Sequence, residues 1–298
     1  MASPHPTIVA ENVGKSFGTG QRQSVILRGV SLSVAAGEVV FLVGPSGSGK
    51  TTLLSILGCI LTPDDGRVEV LGVEVSRLDS KQLTAFRRKH LGFIFQSFNL
   101  FPTLSALDNI RLALTMRGVP MRTATQQAAE LLNQMGLWHR SHLRPSRLST
   151  GECQRVAIAR ALADCPSVLF ADEPTASLDA ENGRAVMTLL TRLARERGVT
   201  LVTVTHDNRI FPFADRILHL EDGYLTQEWS TPQPAIRNTQ SALRQGGECT
   251  AGVPSRSAPA GATRRRAGPG AGASRPAPPP ARPGGLRSPR CCPRGRPW

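Results

Sequence analysis

A glycine-rich segment carrying a lysine and a hydroxyl residue lies near position 50. Gly44-Pro-Ser-Gly-Ser-Gly49-Lys50-Thr51 fits the pattern Gly-x-x-x-x-Gly-Lys-Ser/Thr, in which glycines let backbone N–H groups surround phosphate oxygens. The lysine ammonium neutralises the terminal phosphates, and the hydroxyl ligates Mg2+. The sequence therefore predicts a site for a nucleoside triphosphate and Mg2+. Its residues are Gly44, Pro45, Ser46, Gly47, Ser48, Gly49, Lys50, Thr51 and Thr52.

Two adjacent acids, Asp172 and Glu173, follow the apolar run VLFA. Asp172 is suited to hold Mg2+ through water, and Glu173 to accept the proton of an attacking water. Taken alone, such a pair is usually a solvated loop, and phosphate binding alone fits a kinase, a GTPase or a motor. The pair follows the glycine-rich segment by about 120 residues, and this order favours nucleotide hydrolysis.

The apolar segments around these residues predict a buried parallel sheet. Glu38–Val43 is almost continuously apolar, as expected for a strand covered on both faces. It leads directly into the glycine-rich loop, and the following TTLLSILGCI is typical of a helix. Leu91–Phe95, Val168–Ala171 and Val199–Val204 are predicted to be further strands of the same sheet.

Shorter strands are predicted outside this sheet. They are Ile8–Val9, Val25–Leu27, Val30–Val34 and Arg67–Leu71. Glycines are expected to supply the turns between the early strands. These are Gly14, Gly18, Gly20 and Gly29.

Helices are predicted between and after the later strands. Apolar residues recur at helical spacing over Ala124–Met135, and Gly136 stands where a C-terminal cap belongs. A second stripe from Val186 to Leu193 ends at Gly198. Both stripes indicate core packing. The basic run at residues 87–90 is expected to be a solvated face, with partner contact as the alternative.

Further motifs resemble those of ATP-binding-cassette ATPases. LSTGE followed by QRVAIARAL, from Leu148 to Leu162, resembles the signature motif of that family. Gln96 in GFIFQ resembles the Q-loop, Ser177-Leu178-Asp179 the D-loop, and His206 in TVTHD the switch histidine. Phe17 matches the aromatic residue that stacks on adenine, a contact that any aromatic ring can make. The resemblance covers residues 7–228.

The resemblance implies a fold and a shared site. The fold is α/β, a P-loop NTPase (RecA-like) core with an antiparallel β subdomain and an α-helical signature subdomain at about 97–160. Two copies bind Mg-ATP head to tail, so that one copy's signature meets the γ-phosphate held by the other. The implied catalytic residues are Glu173, His206 and Gln96; the metal ligands are Thr51, Gln96 and Asp172; and the further nucleotide ligands are Phe17, Ser149, Gly151, Glu152 and Asp179.

Each of these motifs has a plainer interpretation when it stands alone. Gln96 fits a polar strand end, His206 a surface histidine, and Asp179 the N-cap of a helix. Their occurrence together in a fixed order favours the functional interpretation. The sequence departs from the family pattern at Thr150, which replaces a glycine, and at Cys153, where glutamine is common.

Several segments resemble ATPases that serve lipoprotein-releasing, macrolide-efflux and heterocyst-glycolipid exporters. These segments are SFNLFPTLSALDNI, ADEPTASLDAENG and THDNRIFPFADRILHLEDG. This resemblance implies a separate transmembrane permease as partner, a periplasmic adaptor reached through the permease, and a peripheral position on the cytoplasmic face of the inner membrane. The apolar runs fall far short of the roughly 20 residues that span a bilayer.

The composition changes near residue 231. Of the net charge of +14, residues 236–298 carry 12 Arg against one Glu, and a third of this segment is Gly or Pro. We therefore expect an ATPase domain over 1–231 and a disordered tail over 232–298. The tail is expected to be inert, a translation of the wrong frame, or a binder of polyanions or anionic membranes.

Two functions remain for comparison. The first is the ATPase subunit of a transporter. The alternative is a soluble ATPase of the same superfamily acting on nucleic acid. Only 98 residues separate Lys50 from Ser149, which leaves no room for the coiled-coil insertion of the chromosome-organising members, and the chain has one cassette where ribosome-acting members join two. The prediction is a transport ATPase with no specific nucleic-acid partner.

Overall fold

The computed structural model describes residues 6–18, 23–163 and 165–230. The predicted tail therefore lies outside the described residues, as does Gly20. The described part contains strands β1 (Ile8–Phe17), β2 (Ser24–Val34), β3 (Val39–Val43), β4 (Asp65–Val70), β5 (Val73–Glu74), β6 (Leu91–Ile94), β7 (Val168–Asp172), β8 (Thr200–Val204), β9 (Arg216–Glu221) and β10 (Tyr224–Ser230). Its helices are α1 (Lys50–Leu57), α2 (Ser80–His90), α3 (Ala106–Thr115), α4 (Met121–Gln134), α5 (Thr150–Leu162) and α6 (Ala180–Arg197).

The larger sheet has the strand order β10-β9-β3-β8-β7-β6. Strands β9, β3, β8, β7 and β6 are parallel, and β10 pairs antiparallel with β9 at the edge. The predicted placement of β3, β6, β7 and β8 in one buried parallel sheet is confirmed. Every residue of β3 and β8 is buried, which explains the unbroken apolar runs in the sequence.

Alternate residues of this sheet pack into two separate cores. Phe41 on β3 and Leu169 on β7 face a core formed with α3, α4, α5 and α6. Leu42 and Phe170, their sequence neighbours, face a second core formed with α1 and the smaller sheet. The period of two along a strand therefore joins the helical subdomain and the antiparallel subdomain through one central layer.

The smaller sheet is antiparallel, with the order β2-β1-β4-β5. The prediction of two short strands separated by a turn at Gly29 is wrong. Gly29 lies inside one continuous strand, β2, and has φ of +71°, at a register shift opposite β1. A β-bulge absorbs the left-handed glycine without ending the strand. Gly14 likewise lies within β1.

Helix α2 places the basic run of residues 87–90 at its C-terminus. Cations at that position interact favourably with the negative end of the helix dipole. Arg87 is half-buried and donates through Nη1 to the carbonyl of Cys59 after α1, while Arg88 and Lys89 are exposed. The expected solvated face is thus limited to part of the run.

Candidate active site

Four parallel strands deliver the predicted catalytic residues to one edge of the larger sheet. Neighbours β3, β8, β7 and β6 end there, and the carboxyl ends of parallel strands form the usual ligand edge of an open α/β sheet. Gln96 follows β6, Glu173 follows β7, His206 follows β8, and the glycine-rich loop follows β3. Residues that are distant in sequence therefore meet at one place.

The glycine-rich loop is packed too closely for side chains at two positions. Gly44 has φ of +144°, and a Cβ there would lie 2.0 Å from the carbonyl oxygen of Leu220. Gly49 has φ of +99°, and a Cβ there would lie 2.8 Å from the side chain of Leu27. Gly49 is also the N-cap of α1 and offers no side-chain acceptor. The first N–H groups of α1 therefore remain available to an anion.

Lys50 places a cation beneath this loop. Its Nζ donates to the carbonyls of Gly44 at 3.0 Å and Pro45 at 2.7 Å. Burial lowers the pKa of Lys50, while Glu173 and Asp172 act in the opposite direction. The ammonium therefore has acceptors in the loop itself, and it lines the same cleft as the glycines of the loop.

Thr51 and Asp172 meet beside Lys50. The Thr51 hydroxyl Oγ1 donates to Oδ1 of Asp172 at 3.3 Å. Burial raises the pKa of Asp172, and Glu173 raises it further, while the hydrogen bond from Thr51 lowers it. A hydroxyl and a partly buried carboxylate at this distance are oxygen ligands of the type that Mg2+ prefers.

Glu173 is held in an unfavourable backbone conformation. Its φ of 49° lies in the left-handed region, which is costly for a residue with a side chain. Its N–H donates to the carbonyl of Val204 on β8 at 2.9 Å, and Oε1 lies 2.8 Å from Nδ1 of His206. Among the described residues, nothing hydrogen-bonds to its buried Oε2.

A cleft of about 590 Å³ joins these groups. Its lining contains most of the residues predicted to bind nucleotide or act in catalysis, together with Ile26 and Val204, which the sequence analysis missed. Both missed residues are apolar and lie in the cleft beside predicted ones. Their positions on β2 and β8 are the only sequence feature that could have indicated a place in the site. The predicted lining residues are Phe17, Gly44, Ser46, Gly47, Gly49, Lys50, Thr51, Thr52, Gln96, Asp172, Glu173 and His206.

Phe17 lies at the mouth of this cleft, at the end of β1. Its ring is 44% exposed, which leaves a face open to a base. Lys15 lies 5.7 Å from the ring centroid and is itself tied to Asp64 at 2.6 Å. Pro45 and Ser48 belong to the glycine-rich loop but do not line the cleft.

The predicted signature residues lie outside this cleft. Ser149 caps α5, and its Oγ accepts the N–H of Glu152 at 3.3 Å, while Glu152 accepts the N–H of Ser149 at 2.8 Å. This capping box satisfies the N–H groups of Ser149 and Glu152 at the start of α5. Gly151 is in the first turn of α5, and Asp179 caps α6 through Asn182 at 2.9 Å. None of the four lines the cleft.

A phosphate-binding loop, an acid pair after a buried strand and a parallel sheet with a helical subdomain define a P-loop NTPase. The family model described as "ABC transporter" matches residues 27–176. The chain therefore belongs to the ABC transporter family and is an ATP-binding ATPase cassette of that family.

The chain is similar to ATP-binding proteins of named bacterial systems. The chain is 46% identical over 213 residues to the lipoprotein-releasing system ATP-binding protein LolD of Bacteroides fragilis, covering 72% of this chain and 97% of that one. It is 44% identical to a macrolide export ATP-binding/permease protein MacB of Aeromonas hydrophila, covering 77% of this chain but 36% of the relative. The chain thus spans about a third of that longer relative.

Solved structures agree with the fold. A dimeric ATP-binding cassette in a post-hydrolysis state bound to ADP and Pi is 40% identical, with a TM-score of 0.70, over 75% of this chain and 98% of that one. A second dimeric structure of a bacterial ABC transporter cassette matches to the same extent. Among residues 6–18, 23–163 and 165–230, the helices are all too short or too polar to cross a membrane.

Proposed function

We propose that this chain is the Mg-ATP-hydrolysing subunit of an exporter or of a lipid- or lipoprotein-release system, and that it works as a head-to-tail dimer beneath a separate transmembrane permease. One observation carries the proposal. The cleft contains Lys50, Thr51 and the groups predicted to activate water, yet Ser149, a donor at the N-terminus of α5, lies outside it. A second copy would bring that donor to the γ-phosphate.

The shared site follows from the capping geometry of α5. Ser149 and the first N–H groups of α5 form a donor surface at the positive end of a helix, and such a surface attracts phosphate. Gly151 is buried in the first turn of α5, and Asp179 stands at the start of α6. Two copies joined through two ATP molecules would remove both nucleotides from water, which strengthens each charged contact.

Hydrolysis is assigned to the groups at the strand ends. Glu173 takes a proton from water as the water oxygen forms a bond to the γ-phosphorus, and the bond from that phosphorus to the bridging oxygen breaks to release ADP. His206 orients the Glu173 carboxylate through Nδ1 and faces the transferred phosphate. Lys50 offsets the developing charge, and Gln96 positions the water.

The residues beside Thr51 fit Mg2+. Oγ1 of Thr51 lies 3.3 Å from Oδ1 of Asp172. Gln96, whose amide oxygen is the third proposed ligand, lines the same cleft. Thr51, Asp172 and Gln96 would hold Mg2+, which would supply positive charge beside the terminal phosphates. The burial that raises the pKa of Asp172 is consistent with a carboxylate placed for a cation.

The relatives support the permease partner. One is named as part of a lipoprotein-releasing system, and others combine ATP-binding and permease parts in one chain. We assign this chain to the cytoplasmic face of the inner membrane, as a peripheral subunit that reaches any periplasmic adaptor only through the permease. The ATPase domain is assigned to residues 1–231, and no specific nucleic-acid partner is assigned.

The test uses Glu173→Gln. The amide keeps the hydrogen-bonding shape but cannot accept a proton, so ATP should bind, remain intact and hold two copies together. Size-exclusion chromatography with light scattering should show a dimer with ATP and a monomer with ADP. Glu221→Gln, on an exposed residue, is the control. Wild-type turnover by Glu173→Gln would remove Glu173 from its role, and a monomer at saturating ATP would oppose the shared site. Co-purification of the chain with a co-expressed candidate permease tests the partner, and no association in either nucleotide state would oppose it.

A further inference from the structure

The segment after Gln96 has an uncommon backbone conformation. Phe98 and Asn99 have φ of 60° and 47°. Asn tolerates the left-handed region, but a bulky residue such as Phe rarely adopts it, and two such residues in succession need support from elsewhere. The segment forms a tight turn here, in which the N–H of Phe98 donates to the carbonyl of Phe95 at 3.0 Å.

Arg160 supplies that support from the last turn of α5. Its Nη2 donates to the carbonyl of Phe98 at 2.8 Å, and its Nη1 donates to the carbonyl of Asn99. The guanidinium is half-buried. Its planar fork addresses two acceptors in a fixed geometry, which the single ammonium of a lysine cannot reproduce.

A second contact fixes the segment farther along. Asn109 on α3 is fully buried. Its Oδ1 accepts the N–H of Phe101 at 2.8 Å, and its Nδ2 donates to the carbonyl of Ser105 at 2.9 Å. The backbone between β6 and α3 is therefore held at its start by β6 and later by Arg160 and Asn109.

We propose that Arg160 is a positioning residue that couples the two ATP sites of the dimer. This proposal rests on the proposed shared site and on the proposed role of Gln96. Gln96 lies between β6 and the carbonyls that Arg160 holds, so the guanidinium fixes its position in the cleft. The same helix, α5, begins at Ser149 and carries Arg160 at its other end. Ser149 and Gln96 of one copy serve different nucleotides.

The coupling follows from this arrangement. Phosphate bound at Ser149 fixes the position of α5. Because Arg160 lies on the same helix, it then fixes the position of Gln96, which serves the other ATP site. Occupation of one site should therefore favour turnover at the second. Steady-state hydrolysis by the wild-type chain is expected to show a Hill coefficient for ATP above 1.

The test compares Arg160→Met and Arg160→Lys with Arg192→Met. Arg192 lies on α6, and its one ion pair within the described residues is an exposed 3.9 Å contact with Glu196. Arg160→Met should lower kcat by about tenfold or more, because small misplacements of reacting groups are costly, and should bring the Hill coefficient to 1. The Kd for ATP should not change, and Arg160→Lys should be intermediate. Arg192→Met should match the wild type.

The Gln96→Ala variant distinguishes the Arg160 proposal from the proposed role of Gln96 on which it rests. In the Gln96→Ala background, Arg160→Met should cause no further loss of kcat, because both changes remove one function. Wild-type turnover by Gln96→Ala would contradict the role of Gln96. Loss of turnover in Gln96→Ala, together with wild-type kcat and Hill coefficient in Arg160→Met, would overturn the Arg160 proposal alone. If Arg160→Met does not fold, wild-type kcat and Hill coefficient in Arg160→Lys would overturn it equally.

Discussion

Nδ1 of His206 lies 2.8 Å from Oε1 of Glu173, although 33 residues separate them in the chain. The contact exists because β7 and β8 are adjacent parallel strands that end at the same edge. A carboxylate can only accept a hydrogen bond, so Nδ1 carries the proton.

His206→Ala tests this contact. Loss of the imidazole should leave Glu173 poorly oriented and should lower kcat by about 100-fold, while the Kd for ATP stays within about twofold, because the phosphate loop is untouched. His219→Ala on β9, where the imidazole bonds Thr226 at 3.0 Å, is the control. An unchanged kcat in His206→Ala would show that Glu173 needs no orienting group.

Phe17→Ala tests base stacking. Stacking on an aromatic side chain is worth about 1–3 kcal/mol, so the Kd for ATP should rise by between about fivefold and 150-fold at unchanged kcat. Phe17→Tyr should restore binding. Tyr224→Ala removes a similarly exposed ring that lies outside the cleft. Equal affinity of the Phe17→Ala and wild-type chains for ATP, measured by titration calorimetry, would mean that the base binds elsewhere.

Glu152→Gln tests the charge beside the signature serine. The hydrogen bond from the N–H of Ser149 lowers the pKa of Glu152. The resulting stabilisation is complete above the pKa of the unfolded chain and disappears as the pH falls through the folded value. Glutamine keeps the capping box but loses the charge at the helix N-terminus, so the unfolding free energy at pH 7 should fall by about 0.5 kcal/mol.

The same substitution should strengthen the ATP-bound dimer, because it removes a negative charge next to the proposed phosphate position. The two outcomes are measured by denaturant unfolding at pH 7 and pH 3, and by the ATP concentration that gives half-maximal dimer. Weaker dimerisation by Glu152→Gln would indicate that the carboxylate contacts the partner directly. A stability difference that does not decrease at all between pH 7 and pH 3 would contradict the pKa argument.

Truncation after Thr231 tests the domain boundary. The described residues that line the cleft run from Phe17 to His206, so the intrinsic ATPase rate should be nearly unchanged. A third of the removed segment is Gly or Pro, so the thermal midpoint should also be nearly unchanged. Binding to anionic liposomes or DNA should decrease, because the removed segment is rich in arginine. Co-sedimentation at about 50 and 200 mM salt covers a range over which such binding weakens strongly. A destabilised ATPase would place the boundary farther along the chain.

The sequence was sufficient to predict which residues of the catalytic half of the candidate site lie together. Glycine spacing, buried strands and the acids after them have local signals, and parallel strands carry their ends to one edge. Arg160 and Ile26 have no such signal. Arg160 acts through contacts that span 61 and 62 positions, and only the packing of α5 against the segment after β6 creates them.

Gly29 was missed for a local reason, and Glu152 has a structural role beside its predicted one, which stays a prediction. Gly29 favours a turn by composition, but the neighbouring strand β1 supplies partners on both sides of it, so the backbone forms a bulge instead. Glu152 matches a nucleotide-binding motif, yet its side chain caps α5. Both the motif and the capping box have a Ser followed three residues later by Glu, so the pattern alone does not separate them.

The central claim is that each ATP is bound between two copies of this chain. Lys50→Ala should abolish ATP binding, because the buried cation of the phosphate loop is lost. Ser149→Arg should spare ATP binding but stop hydrolysis, because a large cation blocks the donor surface of α5. Circular dichroism checks that each variant folds, since loss of the Ser149 cap costs about 1 kcal/mol.

Mixing the two inactive variants is the most direct measurement. In a mixed dimer, one composite site combines the intact phosphate loop of one copy with the intact signature of the other. Steady-state ATPase activity should therefore reappear on mixing, under conditions in which subunit exchange has been verified and with the permease present if the wild-type chain requires it. The account predicts recovery of part of the wild-type rate. No recovery in mixtures that demonstrably contain mixed dimers would contradict it.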